Sequence, residues 1–287
     1  MIPYEFDYIR ATSVKNAVEL LSASGDNAKL LAGGHSLIPA MKLRLSQASK
    51  LIDITGVGEL TEISVSNGKV HIGALATHGA VENSDVVQKN CGALAEAAGQ
   101  IGDKQVRNRG TIGGSLAHAD PAADYPALVL ALDAEIEASN ANGSRSISAD
   151  DFFTGMFETA LQEGEIITKV SFPKQSKGTG AAYAKFPHPA SRFAVVGVAV
   201  LVQVNGAGAC TAARVGVTGA APGAFRATGV ENALVGTNLS EQDIETATQN
   251  VADPADLLSD LAGSGEYRTH LCSVMAKRAI SAAASRV

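Results

Sequence analysis

Two glycine doublets dictate more of this chain's local geometry than any other feature: Ala32-Gly33-Gly34-His35-Ser36 and Thr111-Ile112-Gly113-Gly114-Ser115, flanked by hydroxyl-bearing residues and about eighty positions apart. Glycine accepts positive φ and lets a ligand or another backbone come close, so consecutive N–H groups at such a pair can turn inward as an anion-binding concavity. Either doublet alone reads as a tight turn. Together, with apolar strands leading in and hydroxyls beside both, they predict two facing nests able to hold a diphosphate. Spacing does not name the ligand.

The elements around the doublets follow from periodicity. Val14, Ala17, Val18 and Leu21 recur at helical spacing behind Thr12 and Ser13, which predicts a capped amphipathic helix ending at Gly25. Lys29 to Ala32 reads as a strand entering the first doublet and Leu37 to Leu45 as a helix leaving it, with Pro39 tolerated in its first turn. Leu51 to Ile54 is a second strand, Glu62 to Ile72 a hairpin pivoting on Asn67-Gly68, and a further hairpin pivots on Asn142-Gly143. Helices are expected around Cys91 to Gln100 and Pro126 to Leu132, and strands at Ile166 to Phe172, Phe193 to Val204 and Arg214 to Thr218. Three more helices close the chain, near Ala227 to Leu234, Glu241 to Val251 and Tyr267 to Ala284. The polar, glycine-bearing stretch Gln175 to Gly180 marks a domain boundary. The class is mixed α+β.

A chain of 287 residues has room for two or three compact units of roughly 100 to 150 residues. Charged residues make up only 18% and the net charge is −6, so no basic field exists to hold nucleic-acid phosphates or an anionic membrane. The opening Met1-Ile2-Pro3-Tyr4-Glu5-Phe6-Asp7 has neither the basic start nor the apolar run of an export signal. Phe193 to Val204, the longest apolar stretch, falls short of the roughly 20 residues that a membrane-spanning helix needs, and reads as a buried strand. The three cysteines, Cys91, Cys210 and Cys272, are too scattered for a disulfide framework and too few for an iron–sulphur cluster, and are expected to be buried thiols. His35, His71, His78, His118, His188 and His270 show no zinc-ligand spacing, and no metal site is expected. No Gly-x-Gly-x-x-Gly joins a strand to a helix, no glycine loop ends in Gly-Lys-Ser/Thr, and Gly206-Ala207-Gly208 lacks a third glycine. An NAD site of the Rossmann type and a P-loop ATPase are therefore disfavoured.

With these residues in hand, the chain resembles the FAD-binding medium subunits of aerobic carbon monoxide dehydrogenases, within the xanthine dehydrogenase family of molybdenum hydroxylases. The resemblance runs end to end. It is most specific in Leu31-Ala32-Gly33-Gly34-His35-Ser36-Leu37-Ile38-Pro39 and in Gln105-Val106-Arg107-Asn108-Arg109-Gly110-Thr111-Ile112-Gly113-Gly114. It implies an FAD-binding fold of the vanillyl-alcohol oxidase type over residues 1–176, in subdomains of about 1–57 and 58–176, and a C-terminal α+β domain over 177–287 with a three-stranded sheet and helices. The resemblance assigns residues 32–36 and 111–115 to the flavin diphosphate, Asp124 to the ribityl or ribose part and Ile101 to the adenine. It also places Ile167 and Lys185 near the isoalloxazine, and Phe193 where relatives carry a tyrosine beside the ring. On residue chemistry alone, Asp124 is a helix N-cap and Ile101 is core. Ser115 stands in place of a more usual asparagine, and Pro187 to Arg192 departs from the basic, glycine-containing loop of the carbon monoxide enzymes.

What the resemblance implies for activity is electron transfer with no catalytic side chain in this subunit. Electrons from carbon monoxide oxidation at a molybdopterin centre on a large subunit pass two 2Fe-2S clusters on a small subunit to FAD here, and leave to an acceptor, expected to be quinone. The assembly expected is a dimer of heterotrimers, cytoplasmic or held at the inner membrane face through its partners. An aldehyde or N-heterocycle hydroxylase, or a stand-alone flavin oxidase, are the alternatives.

Overall fold

Ser13, read as the start of the first helix, accepts a hydrogen bond from Asn16 N at 3.1 Å, and Gly25 ends that helix at φ 65°. The computed structural model describes residues 1–25 and 27–287. The opening unit runs β1 (Asp7–Arg10), α1 (Val14–Ser24), β2 (Ala28–Leu31), α2 (Leu37–Lys42) and β3 (Lys50–Asp53). Its three strands are parallel in the order β1-β3-β2. A parallel sheet is covered on both faces: Ala17 and Val18 pack with Ile52 on one side, Met41 with Leu51 on the other. The helix expected to reach Leu45 stops at Lys42, because Arg44 takes a left-handed turn at φ 61°.

The next unit is built from β4 (Ile63–Ser66), β5 (Lys69–Gly73), α3 (His78–Asn83), α4 (Asp85–Asn90), α5 (Gly92–Gln100), α6 (Lys104–Arg107), α7 (Ile112–His118) and α8 (Tyr125–Ala131). It continues with β6 (Glu135–Asn140), β7 (Gly143–Ser148), α9 (Ala149–Phe152), β8 (Phe153–Gly155), β9 (Glu158–Thr159) and β10 (Ile166–Pro173). Five strands pair in the order β4-β5-β10-β6-β7. Alternation sorts their faces. Val70, Ile72, Ile136, Val170 and Phe172 are fully buried in one cluster with Leu94, Leu116 and Leu128 from the helices. The opposite face carries polar pairs such as His71 with Ser171 (2.8 Å) and Lys169 with Glu137 (2.9 Å). Asn67 (φ 50°) and Gly68 (φ 72°) form the expected two-residue turn. The second hairpin pivots one residue earlier than expected. Asn140 pairs with Gly143, leaving Ala141-Asn142 as the loop, because the Asn140 side chain accepts from Asn142 N at 2.8 Å and makes the turn itself.

The remaining elements are β11 (Thr179–Pro187), β12 (Ala194–Val204), β13 (Cys210–Thr218), β14 (Phe225–Arg226), α10 (Thr228–Leu234), α11 (Glu241–Ala247) and α12 (Gly265–Ala284). The three expected strands are extended by the two-residue β14 at the edge. The unbroken apolar run of β12 is explained by its position: α12 packs on it from one side and α8 of the preceding unit from the other. Helix α11 ends at Ala247, short of the expected Val251, where the Thr248 hydroxyl bonds back to Ile244 O at 2.8 Å. All three cysteines are free and buried, and burial pushes the Cys91 and Cys272 thiols up to about 12. Among the described residues no helix is long and apolar enough to cross a membrane.

Candidate functional site

The first glycine loop leaves β2 and enters α2. Gly34 sits at φ 75°, and Ser36 opens the helix without using its hydroxyl as a cap. The first amide of this stretch with an acceptor is Ile38 N, which reaches Gly34 O at 3.1 Å. The N–H groups of Gly33, Gly34, His35, Ser36 and Leu37 have no acceptor among the described residues. Backbone donors left without a partner are costly unless water or a ligand takes them. His35 is exposed, and its Nδ1 lies 3.2 Å from Gly33 O, an acceptor that Nδ1 can bond only in the tautomer that carries its proton there.

The second doublet is arranged differently from the nest expected of it. Ile112 N donates to Ala76 O (3.1 Å), Gly113 N to Ala74 O (2.9 Å) and Ser115 N to Thr111 O (3.0 Å). Gly114 N donates to Thr111 Oγ1 at 3.1 Å, which makes Thr111 the N-cap of α7. These four amides are spent on helix start and sheet edge; of residues 111–115 only Thr111 N has no acceptor among the described residues, so most of the free donors come from the first loop. The two loops nonetheless meet. A β-carbon on Gly33 would lie 2.1 Å from Arg109 O and 2.8 Å from Gly110 Cα, a contact only glycine permits, and one on Gly114 would lie 3.8 Å from Ala32 Cβ.

A third group is centred on Asp124, a few residues beyond the end of α7. Asp124 is buried, but its backbone is helical and its side chain caps nothing, so the N-cap role expected from residue chemistry is not adopted. The carboxylate accepts from Tyr183 OH at 2.6 Å and from Lys185 Nζ at 2.8 Å, both on β11. Burial raises the Asp124 carboxyl above the usual range, with the Lys185 ammonium and Tyr183 hydroxyl working against that rise. Lys185 Nζ also donates to Gln100 O at 3.3 Å, which brings Ile101 to the same place. Ile101 is partly buried against the core, and Ile167 is buried within it. The residue after Ile167, Thr168, accepts Ala74 N at 3.0 Å, directly behind the second loop. Phe193 is 43% exposed just before β12, and Ala194 N ties it to Ala122 O at 3.0 Å, beside the segment that carries Asp124.

Three participants escaped sequence reasoning. Tyr183 lies two residues before Lys185, hence on the same face of a strand, a signal that period-two spacing offers. Tyr125 and His78 carried no such signal. His78 begins α3, donates its N–H to Gly110 O at 2.9 Å, and places Nδ1 3.2 Å from the fully buried Tyr125 hydroxyl. Burial lowers His78 to about 4, helped by the nearby His35 and Arg107.

The model of an FAD binding domain in molybdopterin dehydrogenase matches residues 4–175, and that of a CO dehydrogenase flavoprotein C-terminal domain matches residues 181–283. The chain is 40% identical to the carbon monoxide dehydrogenase medium chain of Hydrogenophaga pseudoflava, over all of this chain and 99% of that one. It is 38% identical to subunit alpha of the 6-hydroxypseudooxynicotine dehydrogenase complex of Paenarthrobacter nicotinovorans, over all of this chain and 97% of that one. Among solved structures, a carbon monoxide dehydrogenase from Hydrogenophaga pseudoflava superposes with a TM-score of 0.95 at 42% identity, covering all of this chain and 99% of that one.

Proposed function

The chain belongs to the family of FAD-binding subunits of molybdopterin dehydrogenases and is an oxidoreductase subunit, and on that premise we propose that it carries electrons through FAD from a partner's 2Fe-2S clusters to an external acceptor. The observation that carries this reading is the run of unpaired amides from Gly33 to Leu37, pressed against the second glycine loop. An anionic diphosphate needs donors that nothing else has taken, and the seam at Gly33 leaves no room for a side chain, so the residues present fit FAD. When bound, FAD supplies the redox chemistry.

The chain's own residues do the rest. Amides 33–37 donate to the anionic oxygens, while the Ser36 and Ser115 hydroxyls offer further donors and Thr111 holds the start of α7 in place. Lys185 sets a cation beside the site with Asp124 fixing its position, so that Asp124 acts on the ligand chiefly through Lys185. Ile101 and Ile167 give apolar walls, and Phe193 offers a ring face to an isoalloxazine, without the hydroxyl a tyrosine would add.

For the whole complex this reading puts carbon monoxide oxidation at the molybdenum centre of a large subunit, a small iron–sulphur subunit between, a dimer of heterotrimers, and quinone as acceptor at the cytoplasmic face of the membrane. A medium subunit of an aldehyde or N-heterocycle hydroxylase is the second reading, favoured by Phe193 and by the 38% identical relative from an oxynicotine complex. The test is an absorption spectrum of the chain purified with whatever subunits accompany it. Flavin bands are expected in the wild type and absent from Gly33→Val and Gly114→Val. A wild type that stays colourless after reconstitution with FAD sinks the proposal, and a coloured chain that purifies alone points instead to a stand-alone flavin oxidase.

A further inference from the structure

The second glycine loop is held from behind as well as in front. Residues 76–78 run antiparallel to 110–112, joined by Ile112 N to Ala76 O (3.1 Å) and His78 N to Gly110 O (2.9 Å). Gly110 is thereby caught between two groups. Its Cα is what a β-carbon on Gly33 would strike at 2.8 Å, and a β-carbon on Gly110 itself would strike His78 Nε2 at 2.5 Å. The imidazole is in turn fixed by Tyr125, whose ring lies 5.3 Å from it and whose buried hydroxyl has His78 Nδ1 (3.2 Å) as its one partner among the described residues. A buried phenol must donate somewhere. Donation to Nδ1 fixes the tautomer with the proton on Nε2, the atom facing Gly110.

We propose that His78 is a positioning residue of the flavin site, a wedge that, braced by Tyr125, presses Gly110 against Gly33 and so sets the affinity for the diphosphate of FAD. This rests on the FAD reading above. It goes beyond it by assigning a role to two residues outside both glycine motifs. Tyr125 follows Asp124 directly, so the same brace joins the glycine seam to the Asp124–Lys185 pair.

The test is a double-mutant cycle on the full chain freed of flavin, read as the dissociation constants of FAD (flavin fluorescence) and ADP (calorimetry). His78→Ala removes the wedge and is expected to weaken both by about ten-fold, the lower end of what loss of a partner that orients a metal ligand costs a metal site. Gly110→Ala alone should cost a similar factor by forcing the ring away. In the His78→Ala background Gly110→Ala should cost little more, because the ring it would strike is gone. Tyr125→Phe, which removes one hydroxyl, should weaken both ligands several-fold and decides the matter if His78→Ala does not fold. Losses from His78→Ala and Gly110→Ala that multiply, or affinities unchanged in His78→Ala and Tyr125→Phe, overturn the inference. A wild type that binds neither FAD nor ADP fails the flavin reading itself, a distinct result.

Discussion

His78 stays neutral against its ordinary titration, and that has a measurable sign. Its folded value is lowered from 6.5 to about 4 by burial first, then by His35 and Arg107. The unfolded chain therefore binds the proton first as pH falls. The folded state keeps its full advantage above pH 6.5 and loses it progressively down to about pH 4, roughly 3 kcal/mol over the interval. Urea unfolding at pH 7 and pH 5 should show a larger acid loss in the wild type than in His78→Gln, which cannot titrate; parallel losses would mean that burial does not hold the ring neutral. None of this was legible in the sequence, where a histidine can be checked for ligand spacing but not for what packs over it. For Asp124, too, residue chemistry alone offers only the local role, and it is the resemblance that points to the flavin. An aspartate ahead of Tyr125-Pro126 has the local features of an N-cap, and its actual partners lie some sixty positions away on β11.

At the scale of elements, the first helix, the strands near Lys29 and Leu51 and the Asn67-Gly68 hairpin were legible because their causes are local: apolar spacing, a capping serine, a turn that needs positive φ; the strand Asp7–Arg10 carried no such signal. The second doublet was not, because what decides it is tertiary. Pairing of Ile112 N and Gly113 N with residues 74–76 consumes the amides that an isolated Gly-Gly would have left free. Thr111 then becomes the cap of α7 rather than the rim of a nest. Thr111→Ala should accordingly lower stability by about 1 kcal/mol, the usual cost of a lost N-cap. Thr111→Ser should retain most of it. Equal denaturation midpoints for all three chains would show that Gly114 N finds another acceptor at no cost.

Across the whole molecule, the segment before α8 belongs by sequence to the FAD-binding part but is fastened by strands that follow it. Thr218 Oγ1 donates to Pro121 O and Ala123 O (3.0 and 2.6 Å), Gly219 N to Pro121 O (2.8 Å) and Ala194 N to Ala122 O (3.0 Å). The Lys185–Asp124 pair is a buried ion pair beside this seam, with side chains 1% and 4% exposed. Such a pair is a poor source of net stability, since both charges have given up water, yet breaking it leaves one charge stranded. Lys185→Met should therefore cost about 3–5 kcal/mol at pH 7, whereas Lys185→Met combined with Asp124→Leu should recover much of that loss. The single variant should also be partly relieved on acidification, because a carboxyl already raised by burial takes up its proton at still higher pH once the ammonium is gone. Chemical denaturation of the three chains at pH 7 and pH 5 measures both effects. A double variant as unstable as the single one would mean that the seam depends on this ion pair itself and not on the packing around it.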